Sequence, residues 1–349
     1  MAAIRKPKSI NLALQGGGSH GAFTWGVLDR LLADDRLEIA AISGTSAGAM
    51  NAVALADGYV RGGRDGAREK LASFWKAVSK SARFSPIRRS LIDRLLGSWS
   101  LDRSPAYHAF DALSRAVSPY QLNPLKMNPL RELIDESIDF DCVRSCQAIG
   151  LFISATNVET GRVKVFQGHE LTADMVMASA CLPQMFQAVK IDGVPYWDGG
   201  YMGNPSLFPF FHGSKCADVV IVQINPIERK GVPKTASEIQ NRINEITFNA
   251  SLLKELRAVD FVSRLVEDGR LDATEYRRVR MHLIQNQDAL IPLGASSKVN
   301  AEWKFLTHLR DIGCDTAEAW LDENFDRIGR EDSADIRALF QGIDVNATG

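Results

Sequence analysis

Apolar and polar positions fall into blocks along the chain, and block length separates strands from helices. Ile10-Asn11-Leu12-Ala13-Leu14 is short and apolar, which predicts a buried strand. Phe23, Val27, Leu28, Leu31 and Leu32 then recur at helical spacing through residues 22–32. Residues 37–42 read as a second strand and 49–56 as a helix of small residues, with loop and helix over 57–78, where Phe74 and Trp75 pack. Further on, residues 149–156 form a strand that pairs with 163–166 across Glu159-Thr160-Gly161, and a short helix over 171–181 stops near Pro183. Val189-Lys190-Ile191 and Val194-Pro195-Tyr196-Trp197 read as a hairpin through the Asp192-Gly193 turn. A buried strand at 219–224, a long helix over 237–268 and a last strand at 281–284 follow. The remainder, with Trp303 and Trp320, is helical, and residues after about 342 are expected to fray.

At 349 residues the chain can form one large α/β domain or two smaller ones. A hydrophobic content of 45% and a charged content of 24% are ordinary for a globular protein. The net charge of −1 supplies no global field for DNA, RNA or an acidic membrane, so nucleic acid is not an expected partner. Cys142, Cys146, Cys181, Cys216 and Cys314 lack the paired spacing of a metal site and read as free thiols in a reducing compartment. No metal and no cofactor are expected. Met1-Ala2-Ala3-Ile4-Arg5-Lys6-Pro7-Lys8 is basic, but no signal-peptide core follows it, so the expected location is cytoplasmic. One stretch is locally basic and amphipathic: Phe84, Ile87, Leu91, Ile92, Leu95, Leu96 and Trp99 alternate with Arg83, Arg88, Arg89, Arg94 and Arg103. Residues 83–99 are therefore a candidate interfacial helix or lid that meets lipid, weighed against a surface helix with solvated arginines.

Three stretches carry chemistry. Gly44-Thr45-Ser46-Ala47-Gly48 lies between a strand and a helix, the setting in which G-x-S-x-G exposes a nucleophilic serine on a strained turn. Gln15-Gly16-Gly17-Gly18-Ser19-His20-Gly21 follows the first strand and offers successive backbone N–H groups to an anion. That anion is either a phosphate, since Gly16-x-Gly18-x-x-Gly21 matches the dinucleotide fingerprint, or the oxyanion of acyl transfer. The fingerprint wants an acidic residue at the end of the next strand. Here that strand runs into Ser46, which favours the oxyanion. The serine also needs a base. Of the histidines that follow Asp198, His212 is nearest, yet it lies beside Phe208, Pro209, Phe210 and Phe211 without a supporting motif. Asp198, followed by Gly199 and Gly200, is the stronger candidate, because burial raises a carboxylate from its usual ~3.9.

The glycine-rich loop, the Ser46 elbow and Asp198-Gly199-Gly200, in that order, resemble the patatin-like phospholipase family. The resemblance spans residues 10–224 and includes Ala178-Ser179-Ala180-Cys181-Leu182-Pro183. It implies a three-layer α/β/α domain with a mainly parallel central sheet over residues 8–290, an insertion at about 80–130, and a helical C-terminal extension over 291–349. It further implies a Ser-Asp dyad of Ser46 as nucleophile and Asp198 as base. Backbone N–H groups of Gly16, Gly17, Gly18 and Ser19 would form the oxyanion hole, with Gly21, Gly44, Gly48, Gly199 and Gly200 as supporting motif residues. Its substrates would be lipid esters, cleaved without metal. The family commonly carries Arg or Lys two places after the third glycine, where this chain has His20. The rival readings are a catalytically silent lipid-binding or scaffolding protein and a nucleotide-binding module.

Overall fold

Strand β1 (Lys8–Leu14) directs Ile10, Leu12 and Leu14 into one core and Ala13 into another, so both faces of the sheet are covered. In the computed structural model, which describes residues 6–341 apart from 86, 91, 92, 94–96, 273 and 274, β1 is central to an eight-stranded mixed sheet. It pairs in parallel with β2 (Leu37–Gly44) and β7 (Asp218–Val222). Outside these, β3 (Gly150–Asn157) continues in parallel from β2, and β8 (Arg280–Ile284) from β7. Antiparallel strands finish one side: β4 (Val163–Gln167) and β6 (Val194–Asp198) lie on β3, and β5 (Val189–Ile191) on β6. The order is β5-β6-β3-β2-β1-β7-β8, with β4 beside β3.

The larger core packs α1 (Gly21–Ala33), α2 (Ala47–Ser81) and a long C-terminal helix against one face. The opposite face is covered by the 236–267 helix through Leu252, Leu256 and Val259. Helix, sheet and helix therefore make three layers. Residues 57–78, expected as loop and helix, belong to α2, which folds back at Gly62 and Gly63, where the backbone leaves the helical region. The two arms meet: the Trp75 indole N–H donates to Asn51 Oδ1 at 2.9 Å, and Gly58 lies against the Gly66 carbonyl where no Cβ could fit. This αα-hairpin holds Phe74 and Trp75 inside the core, as their expected packing requires.

Helix α3 (Pro105–Ala116) falls within the 80–130 stretch and α4 (Pro129–Ser137) runs on beyond its end, and each begins with proline. Ser104 and Asn128 cap them, so these prolines mark helix starts, where a missing N–H costs nothing. The short helix α5 (Ala173–Ser179) leads to β5, α6 (Ala236–Glu267) covers the second face, and α7 (Trp303–Asn324) crosses α1. Gly26 and Gly313 bring α1 and α7 into backbone contact, and Phe305, Leu306 and Leu309 of α7 join the main core.

The 83–99 stretch is not a continuous amphipathic helix among its described residues, because 85 and 87–90 are non-helical. Arg89, read from the sequence as a solvated or lipid-facing charge, turns inward. Its guanidinium pairs with Glu302 at 2.7 Å and stacks 4.2 Å from the Trp99 ring centroid. Leu91, Ile92, Arg94, Leu95 and Leu96 lie outside the described residues, as do the basic N-terminus through Arg5 and everything after Gln341. No helix among the described residues is long and apolar enough to cross a membrane.

Candidate active site

The topology brings the three motifs to one end of the sheet. The glycine loop follows β1 and the serine turn follows β2, both at the carboxyl ends of neighbouring parallel strands. Asp198 closes β6, which runs the other way but meets β3 where Ala155 faces it. Residues far apart in sequence therefore converge beyond the edge of β1, β2 and β3.

Ser46 sits between β2 and α2 with φ 53° and ψ −118°, a left-handed conformation that a non-glycine residue holds only under constraint. The constraint comes from close packing on both sides. A Cβ on Gly44 would strike the Gly48 backbone, and one on Gly48 would strike the Leu14 carbonyl. The Ser46 N–H donates to the Ser179 hydroxyl at 2.9 Å, and the Thr45 hydroxyl donates to the Gly203 carbonyl at 2.6 Å. Ser179 comes from the 178–183 stretch singled out in the sequence, and anchoring the Ser46 backbone is its visible task.

The Asp198 carboxyl is buried, and the Ser46 hydroxyl lies close enough to favour its ionised form. Burial pushes it up to about 7, while the Gly200 N–H at 2.7 Å, the Ser46 hydroxyl and the Lys298 ammonium pull it down. Its backbone is fixed by the Cys181 carbonyl, which accepts the Asp198 N–H at 2.8 Å, and by the Thr156 hydroxyl, which donates to the Asp198 carbonyl at 2.8 Å. Gly199 packs on the Ser154 carbonyl and Gly200 on the Phe248 ring, so neither position has room for a side chain.

The four expected oxyanion donors divide. Gly16 donates its N–H to Asn204 Oδ1 at 2.7 Å and so is committed elsewhere, a departure from its expected role. What Gly16 provides is proximity: a Cβ there would lie 2.7 Å from the Ser46 Cβ. The N–H groups of Gly17, Gly18 and Ser19 make no hydrogen bond among the described residues. Gly18 has φ 58° and lies under the Lys298 carbonyl, which makes glycine necessary there on two counts. Gly21 in turn lies against the Ala47 Cβ. Behind the loop, Gln15 Oε1 accepts the Ile224 and Asn225 N–H groups at 2.9 Å, and Asn225 Nδ2 donates to the Gly16 carbonyl at 2.6 Å.

His20 points away from the serine, to the Ser297 hydroxyl at 2.7 Å. Burial, with the charge of Lys298, pushes its imidazole down to about 3, so it is neutral at physiological pH. His212 is exposed on the 209–213 helix and touches neither Ser46 nor Asp198 among the described residues. His282 is engaged with Asp218 and Ser333, and His308 stacks on Trp99. The five cysteines are free, and no cluster able to hold a metal ion occurs among the described residues.

Sequence reasoning missed Asn204, Asn225 and Lys298. Asn204 follows the Asp198 motif closely, but no local pattern marks the other two.

The family described as patatin-like phospholipase matches residues 12–211, more than half the chain. Solved structures with some likeness include VipD from Legionella pneumophila, with 14% identity, a TM-score of 0.40, and coverage of 91% of this chain and 67% of that one. ExoU from the type III secretion system of Pseudomonas aeruginosa, in its heterodimeric complex with SpcU, has 15% identity, a TM-score of 0.36 and 92% coverage of this chain. The chain spans 52% of the length of ExoU. A comparison with curated protein sequences found no match.

Proposed function

The chain belongs to the patatin-like phospholipase family, and from that premise we propose that it cleaves carboxylic esters of lipids through a Ser46–Asp198 dyad, as a phospholipase A or lysophospholipase. The observation that carries this reading is the Ser46 hydroxyl on a strained turn, close enough to the buried Asp198 carboxyl to act on its ionisation, and beside three unengaged backbone N–H groups. Asp198 takes the proton as Ser46 Oγ bonds to the ester carbonyl carbon, and the N–H groups of Gly17, Gly18 and Ser19 receive the negative oxygen. Collapse expels the alcohol, protonated by Asp198, and leaves an acyl-serine. Water, deprotonated by the same carboxylate, then releases the fatty acid and restores the serine.

Hydrolysis of a nitrophenyl ester and of a phospholipid tests this. Ser46→Ala and Asp198→Asn should each remove nearly all turnover with the fold intact, while His212→Ala should leave it unchanged. Full activity in either of the first two would refute the dyad.

Contact with a lipid surface is part of the same reading. Lys76, Lys80, Arg83, Arg88 and Lys304 line a cavity of about 390 Å³ with Trp303, and none of the five cations has an ion-pair partner among the described residues. A cleft beside an exposed tryptophan, lined by five cations and one carboxylate, Glu302, which is engaged by Arg89, suits the anionic face of a membrane. Together with the free thiols, it supports an intracellular enzyme that visits membranes rather than spanning them.

A further inference from the structure

The 295–299 turn lies across the glycine loop, and its Lys298 is built into the loop from behind. The Lys298 carbonyl fills the space over Gly18 that a side chain would need. Its ammonium donates to Asn225 Oδ1 at 2.8 Å, and the other end of the same amide, Nδ2, donates to the Gly16 carbonyl. One neutral side chain thus ties the cation to the backbone that carries the unengaged donors. The neighbouring Ser297 holds His20. Two successive residues of a remote segment clamp the loop.

The bonding partner of Lys298 is neutral, and no carboxylate forms an ion pair with it among the described residues. Glu245, the acid that acts on it most strongly, is already engaged by Arg229 and Arg242. A partly buried ammonium hydrogen-bonded to an amide rather than a carboxylate is costly for folding, and such groups concentrate where a charge has work to do. We infer that Lys298 is a positioning residue for acyl transfer: held behind the glycine loop by Asn225, its standing positive charge favours the oxyanion at Gly17, Gly18 and Ser19. The inference rests on the dyad reading above.

The charges facing Lys298 set its state. Burial lowers its ammonium to about 8, with Glu245 and Asp198 holding it up and Arg229 pushing it down, so it remains charged at neutral pH. His20, held by the adjacent Ser297, is neutral and does not compete. Lys298 in turn lowers the Asp198 carboxyl, so losing the cation moves the ionisation of the base upward.

The test uses a short-chain nitrophenyl ester, which lacks phosphate, with Lys298→Met and Lys298→Arg. Lys298→Met should lower kcat by about tenfold to a hundredfold with KM little changed, and should move the acid limb of the pH profile to higher pH. Lys298→Arg should recover most of the rate. A Lys298→Met enzyme with wild-type kcat and acid limb would overturn the inference. So would a loss confined to phospholipids and seen in KM, which would make Lys298 a headgroup contact. If Lys298→Met does not fold, Lys298→Gln takes its place under the same criteria. Labelling of the wild type with a fluorophosphonate keeps the two claims apart: no labelling refutes the dyad, whereas labelling with an unaffected Lys298 variant refutes only this inference.

Discussion

A Cβ placed on Gly16 would lie 2.7 Å from the Cβ of Ser46 and 2.9 Å from the Thr45 carbonyl oxygen. The first glycine of the loop is therefore fixed by the Ser46 it touches, and its own N–H is spent on Asn204. Gly16→Ala should displace the serine turn and reduce turnover by about a hundredfold or more, since sub-ångström misplacement of reacting groups is costly. Steady-state kinetics, with circular dichroism to verify folding, would check this. Near-wild-type turnover in Gly16→Ala would show that the turn is not held by this contact.

The Asp198 carboxyl reaches about 7 in the folded protein against 3.8 as its ordinary value, chiefly because it is buried. Below the ordinary value both folded and unfolded chains hold the proton, and burial costs little. Above about 7 both are ionised, and the folded state bears the full cost of a buried charge. Asp198 therefore weakens the fold progressively as pH rises from about 4 through about 7. Asp198→Asn should be the more stable protein at pH 8, by an amount on the order of a few kcal/mol, with the gain fading towards pH 4. Urea denaturation at both pH values would reveal it. A variant less stable than wild type at pH 8 would mean that the Gly200 hydrogen bond and the Ser46 hydroxyl outweigh desolvation.

The parts of this site legible in the sequence are those written in neighbouring residues. The Ser46 elbow, the glycine loop and Asp198-Gly199-Gly200 each combine a turn with a functional group, and the strands leading to them have unambiguous apolar blocks. Illegible parts depend on the chain returning to the site. Lys298 and Asn225 act only because the 295–299 turn crosses over the loop after β1, which no local pattern encodes. The α2 hairpin was obscured for a related reason. Gly58, Gly62, Gly63 and Gly66 look like loop residues, yet two of them make the reversal and two allow the arms to touch. Arg89 shows the limit of charge patterning, since Glu302, which neutralises it, is 213 residues away.

The basic cleft between α2 and the start of α7 predicts preference for anionic surfaces. Replacing Lys80, Arg83 and Arg88 with serine should weaken flotation with phosphatidylglycerol-containing vesicles, at about 1 kcal/mol for each cation near the surface. Binding to phosphatidylcholine vesicles should change little, and hydrolysis of a soluble ester should be retained. Equal flotation of wild type and variant on anionic vesicles would remove the cleft from membrane contact.

The central claim concerns who activates Ser46, and the rate of its covalent labelling by a fluorophosphonate, followed against pH, measures that directly. The wild type should label faster as pH rises, with a midpoint near the Asp198 value of about 7. Asp198→Asn should lose that dependence and label at least about a hundredfold more slowly. Labelling of Asp198→Asn at the wild-type rate, with the wild-type pH profile, would contradict the account.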